Sequence, residues 1–228
     1  VATGDGNPMD PTGLIRRPIT VVAAAGPVLN PAIERSLRDH PDIEVVGAAD
    51  TIVDGGTVIV DLVPRLVVLG LDLDRDPAGV REMCHELFAQ LPVVHILVVA
   101  EIDWGRDLWS CIGAGAHATW LTRRSPVSLD GAIVALERRR SCLTPHSADY
   151  VLAAYEHIQD DATKVLAATP PLTDAERGAL QGLADGSSPR ELAEPQERTP
   201  GTISRYAYHA IAKLHRTYHD HKQLQELA

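Results

Sequence analysis

Three groupings in this 228-residue chain have residue types that do chemistry elsewhere. Asp72-x-Asp74-x-Asp76 spaces carboxylates as a calcium loop does, because hard cations take several oxygen ligands. An EF-hand loop also needs glycine at its sixth position and glutamate at its twelfth; here those are Pro77 and Met83. A solvated strand-end loop is the better account. His209, His215, His219 and His221 crowd one stretch, yet no thiol or carboxylate joins them at zinc-ligand spacing. They read as surface or phosphate-facing side chains. Cys84, Cys111 and Cys142 are scattered without C-x-x-C spacing, which fits buried thiols in a reducing, cytoplasmic setting. No serine sits in a nucleophile elbow and no glycine-rich phosphate loop follows a strand. The residues point to no enzyme, no cofactor and no metal.

The elements that must carry any function are written in the hydrophobic pattern. Apolar residues make up 45% of the chain, enough for two ordinary domains with their own cores. No apolar run approaches the ~20 residues of a membrane helix, so no membrane role is expected. Residues 1–16 are polar and rich in Gly, Pro and Asp, with no apolar signal region, and read as a flexible leader.

From 17 to 141, short β-rich runs alternate with helical patterns, implying a parallel sheet with crossover helices. Strands are expected at Ile19 to Ala23, Ile43 to Val46, Leu66 to Leu69, Val93 to Val99 and Thr119 to Leu121. Asn30-Pro31 should cap the first helix and Ser125-Pro126 should open the last. A weaker helix is expected near Gly56 to Leu62, and others carry Val80, Met83, Cys84 and Leu87, then Trp104, Leu108, Trp109 and Ile112. Trp104, Trp109 and Trp120 are expected to pack in the core or an interface. Five βα units in this order make a flavodoxin-like doubly wound domain.

Residues 142–170 read as a linker with a helix from about His146 to Ala167, ended by Pro170-Pro171. Residues 171–228 form an all-α unit with clear caps. Thr173-x-x-Glu176 and Ser188-x-x-Glu191 are capping boxes, Gly186 stops the first helix, and Thr199-Pro200 opens a longer one striped by Ile203, Ala207, Ile211 and Leu214. Two short helices, a turn and a longer helix make a helix-turn-helix pattern.

The net charge of −10 argues against nucleic acid until its distribution is read. Between Arg198 and Lys222 lie Arg205, Lys213 and Arg216 and a single acid, Asp220. A local basic stripe docks on phosphates even when the whole molecule is acidic.

The run Leu172-Thr173-x-x-Glu176, Leu180, Leu183-Ala184-x-Gly186, Ser188, Glu191-Leu192-Ala193, Gly201-Thr202-Ile203 and Ala212-Lys213-Leu214 resembles the LuxR-type helix-turn-helix over roughly fifty residues. Joined to a βα domain, it resembles the NarL/FixJ class of response regulators. Pro41-Asp42-Ile43-Glu44-Val45-Val46-Gly47 and Gly115-Ala116 also resemble receivers of that class. The departures are equally informative. Where the family holds an acidic pair, the phosphoacceptor aspartate, the switch hydroxyl and a lysine, this sequence has Ala24 and Ala25, Gly70, Val99 and Thr122. Phosphoryl transfer to a carboxylate needs the carboxylate and a metal held by oxygen ligands. Alanine offers no ligand and glycine no nucleophile. The resemblance therefore implies an atypical, phosphorylation-independent receiver-like domain, whose vacated pocket could take an apolar small-molecule ligand.

The resemblance also implies double-stranded DNA as partner. Ser204, Arg205 and Tyr208 are candidates for base contacts, with Thr202, Tyr206, Lys213 and Arg216 for phosphates. Gln196 and Arg198 stand where the family pins the motif helices with apolar side chains, Pro195 shortens the first of them, and Ser204 replaces a usual lysine. One helix reads few base pairs, so a homodimer is expected, joined through the first and last receiver helices (Arg35, Arg38, Glu137, Arg138, Arg139). The alternative is a regulator that heterodimerises with an intact response regulator and modifies its DNA binding.

Overall fold

The computed structural model describes residues 18–71, 75–101, 105–122, 125, 127–162 and 171–226. Asp72, Asp74, Trp104 and the segment 1–16 lie outside them, as do the side chains of His219 and His221.

In the first half, strands β1 (Ile19–Ala24), β2 (Ile43–Ala49), β3 (Leu66–Gly70), β4 (His95–Ala100) and β5 (Ala118–Leu121) pair in parallel in the order β2-β1-β3-β4-β5. Helices α1 (Gly26–Leu37), α2 (Ile52–Leu62), α3 (Pro77–Gln90), α4 (Arg106–Ala114) and α5 (Leu129–Glu137) make the crossovers. This is the flavodoxin-like order.

The two-residue period of a strand sends alternate side chains to opposite faces. Val22, Ala24, Val67, Leu69, Ile96 and Val98 face α2, α3 and α4 in one core layer. Val21, Ala23, Leu66, Val68, Leu97 and Val99 face α1 and α5 in the other. Central strands buried on both faces must be continuously apolar, which explains the run in β3.

Three helix starts differ from the sequence reading. α2 begins at Ile52, capped by Thr51, rather than near Gly56. α1 begins at Gly26, and Asn30 lies buried inside it rather than at its cap. Its Oδ1 accepts from the Ala25 N–H at 2.9 Å, while its amide donates to the Ala49 carbonyl and to Asp50 Oδ1. Serving backbone groups across the β1–α1 turn outweighs capping. α5 begins at Leu129 with Ser128 as its cap, because the Ser125 hydroxyl is engaged by the Leu121 N–H.

The second half is helical: α6 (Pro145–Ala162), α7 (Asp174–Ala184), α8 (Pro189–Ala193), a 3-10 turn (Glu194–Gln196) and α9 (Pro200–Glu226). The helix expected in the linker does more than connect. Ala148, Val151, Leu152 and Tyr155 of α6 share one core with Leu180, Leu183, Ala207, Ile211 and Leu214. The Tyr155 hydroxyl donates to the Ala210 carbonyl at 3.0 Å. Ile112 of α4 enters the same core, so the two halves meet through α4. Among the described residues, no helix is long and apolar enough to cross a membrane.

Candidate nucleic-acid interface and degenerate phosphorylation pocket

Both capping boxes form. Thr173 and Glu176 satisfy each other's backbone N–H groups at the start of α7, and Ser188 and Glu191 do so at α8. These donors hold the Glu191 carboxyl below its usual range. Gly186 takes a φ of 90° after α7, a conformation that suits glycine.

α8 is only five residues long, because the chain tightens to a 3-10 turn at Pro195 and Glu197 takes a left-handed φ. Its anchoring therefore comes from elsewhere. Leu192 lies flat against Gly182 of α7, where a Cβ would collide with it. Ala179, Ala193 and Ile203 form a small cluster joining α7, α8 and α9. Arg198 bonds the Tyr206 hydroxyl, its guanidinium carbon 5.4 Å from the ring centroid. Short-range fit of small residues and a cation–π contact thus do the work of the missing apolar pins.

α9 divides its circumference three ways at 100° per residue. Ile203, Ala207, Ala210, Ile211 and Leu214 are buried in the helical core. Arg205, His209 and Arg216 are exposed, flanked by the partly exposed Thr202 and Tyr206. The third face meets the βα half. Tyr208 Oη lies 3.0 Å from His95 Nε2, the Ser204 carbonyl accepts from the Ser141 N–H at 3.1 Å, and the Arg140 guanidinium packs against Gly201. His215, expected at the surface, is buried with Nε2 3.1 Å from the Ala116 carbonyl. The contact of α9 with the turn before β5 sets this, and no local pattern in sequence announces it.

The seven candidate DNA residues consequently separate. Arg205, Arg216, Thr202 and Tyr206 share the outer stripe. Ser204 and Tyr208 turn toward the βα half. Lys213 is committed within the domain: its Nζ lies 2.6 Å from Glu176 and 3.2 Å from the Pro171 carbonyl. Burial alone would raise the Glu176 carboxyl, but the donors on Lys213 and Thr173 outweigh it and hold it low. Lys213 is thereby a strut between α9 and the capping box of α7.

At the other end of the sheet, Ala24, Ala25, Gly70 and Val99 are all buried. A Cβ on Gly70 would stand 2.8 Å from Ala25 Cα and 2.9 Å from its carbonyl oxygen. Real Cβ atoms do not approach backbone so closely, so Gly70 is in backbone contact with Ala25. Thr122 is exposed, its hydroxyl donating to the Glu101 carbonyl at 3.3 Å. Asp76 caps α3 through the Gly79 N–H, in keeping with a strand-end loop. Trp120 donates from Nε1 to the Val127 carbonyl, and Trp109 packs beside His146. Among the described residues no group of three or more His, Cys, Asp or Glu could hold a metal ion.

Solved structures of a two-component response regulator have this fold. Two solved structures share it over 91% of this chain and 98% of theirs: the two-component response regulator RcsB in complex with DNA (17% identity, TM-score 0.51), and two RcsB dimers bound to two parallel DNAs (18% identity, TM-score 0.50). In sequence the chain is similar to the DNA-binding transcriptional activator DevR/DosR of Mycobacterium tuberculosis, at 24% identity over 186 residues. These span 80% of this chain and 83% of that protein. No family model matches.

Proposed function

We propose that this chain is a sequence-specific, DNA-binding transcription regulator whose receiver-like domain is not controlled by aspartyl phosphorylation. One observation carries the DNA reading: a doubly capped helix-turn-helix presents Thr202, Arg205, Tyr206, His209 and Arg216 as one outward stripe of α9. Arginine with polar and aromatic neighbours suits phosphates and base edges in a major groove. The similarity to DevR/DosR and the RcsB fold support the same reading.

The second half of the proposal rests on the strand ends. Among the described residues, Gly70 brings no carboxylate and Ala24 and Ala25 no ligands, so these positions supply neither nucleophile nor metal site for phosphoryl transfer. In the arrangement described, Ser204 and Tyr208 are turned away from the outer stripe, so full groove entry requires α9 to leave the βα half. Useful specificity from one short helix calls for two copies on paired half-sites, hence a homodimer.

A gel shift of the full chain against selected duplexes, titrated with salt, tests the proposal. Specific binding with a slope of several phosphates is the expected result. Binding that appears only when a second response regulator is added would replace it with the heterodimer reading. Radiolabel on the chain after incubation with acetyl phosphate would remove the phosphorylation-independent part.

A further inference from the structure

The seam between the two halves is lined by three imidazoles in a row. His95 begins β4, His117 precedes β5, and His215 comes from α9; ring centroids lie 5.1 Å apart at both steps. Tyr208 stacks on His117 at 5.9 Å and bonds His95, and Phe88 of α3 meets His215 edge-on at 4.9 Å. His117 and His215 are almost wholly buried, at 5% and 1% exposure.

The geometry holds all three neutral. His117 Nδ1 accepts from the Ile96 N–H, so a proton placed there would break that bond. His215 Nε2 faces the Ala116 carbonyl as donor and its buried Nδ1 makes no hydrogen bond, so burial outweighs the Ile112 and Ala116 backbone groups that favour the protonated ring. His95 Nδ1 is likewise buried and unpartnered. A proton on either would create a buried, unsatisfied cationic N–H. The charged groups facing the row are also cations. Arg139, at the end of α5, and Arg65, before β3, act on His95, and Arg65 is itself paired with Glu137. From α9 the row meets Tyr208, whose ring also neighbours His209; beyond α5, the Arg140 guanidinium packs on Gly201.

We propose that His95, His117 and His215 form a proton-operated latch: protonation of the row releases α9 from the βα half and frees Ser204 and Tyr208. The functional consequence rests on the DNA reading above; the latch does not. Burial, with Arg139 and Arg65 beside it, holds His95 at about 4, and burial holds His215 at about 4. Burial and its two neighbours keep His117 well below the usual range. Released histidines titrate near ~6.5. Above that value the docked state is undisturbed; its advantage falls as pH drops from ~6.5 toward 4, by about tenfold per histidine at pH ~5.5 for His95 and His215.

Small-angle scattering of the full chain between pH ~7.5 and ~5 reads the seam without DNA. The expected result is a rise in radius of gyration with unchanged far-UV circular dichroism. The variant combining His95→Gln, His117→Asn and His215→Gln keeps the neutral hydrogen bonds and should stay compact throughout. Should it not fold, His95→Gln and His215→Gln singly should each move the opening midpoint to lower pH. A wild-type radius that does not change, a variant that opens in step with wild type, or opening that coincides with loss of helix would each overturn the latch. Absence of duplex binding at every pH would sink the DNA reading and leave the scattering result standing.

Discussion

The same five strands end in two unlike places. At their carboxyl ends, Ala24, Ala25, Gly70 and Val99 are buried, Gly70 lies against the Ala25 backbone, and Asn30 occupies the nearby polar groups. At their amino ends, His95 and His117 gather under α9 beside His215, and the Nδ1 atoms of His95 and His215 are buried and unmatched. In the resemblance drawn above, phosphate chemistry belongs to the first region, where these four positions carry no carboxylate. The second carries bonds that two domains share and that a change of charge would disturb. The proposed latch lies at this opposite end.

The sharpest way to break this contrast is to place a carboxylate at the carboxyl ends. Gly70→Asp should cost about 4 kcal/mol in denaturant unfolding, since it combines overpacking with an unpaired buried charge. A variant of wild-type stability that also accepts label from acetyl phosphate would show that the strand ends yield. Lys213→Ala should cost roughly 3 kcal/mol by leaving the Glu176 carboxylate buried and unpaired. Its thermal melt should fall whether or not DNA is present; a loss of affinity without a loss of stability would return Lys213 to the phosphate contacts.

Asn30→Ala should cost about 2 kcal/mol, the price of a buried N–H and carbonyl left unmatched, as read by chemical denaturation. Arg205→Ala should leave stability unchanged and relax sequence preference by roughly 1–3 kcal/mol in competition gel shifts. Tyr208→Phe is the mildest: losing the bond to His95 should weaken the seam by about 1 kcal/mol, visible as a larger radius of gyration at neutral pH. An unchanged radius there would mean that the seam does not depend on Tyr208.

Much of the architecture was legible in the residues. Strands β1 to β5 follow apolar runs bounded by turns, and the capping boxes at Thr173 and Ser188 place α7 and α8 to the residue. Such features depend on neighbours within a few positions, so a single sequence displays them. The site was legible only in part. The outer stripe with Arg205 and Arg216 follows from helical period, but the fates of Lys213, Tyr208 and His215 do not. Their partners Glu176, His95 and Ala116 lie far away in the chain.

What the sequence determined by itself was the alternation of strands and helices, the caps, and the absence of carboxylates at Ala24, Ala25 and Gly70. What tertiary structure decided was which polar side chains became buried, because burial depends on helices and strands brought together from distant positions. Three histidines with no shared pattern became neighbours only when α9 lay across the amino ends of β4 and β5. Local periodicity has no term for such a meeting; packing does.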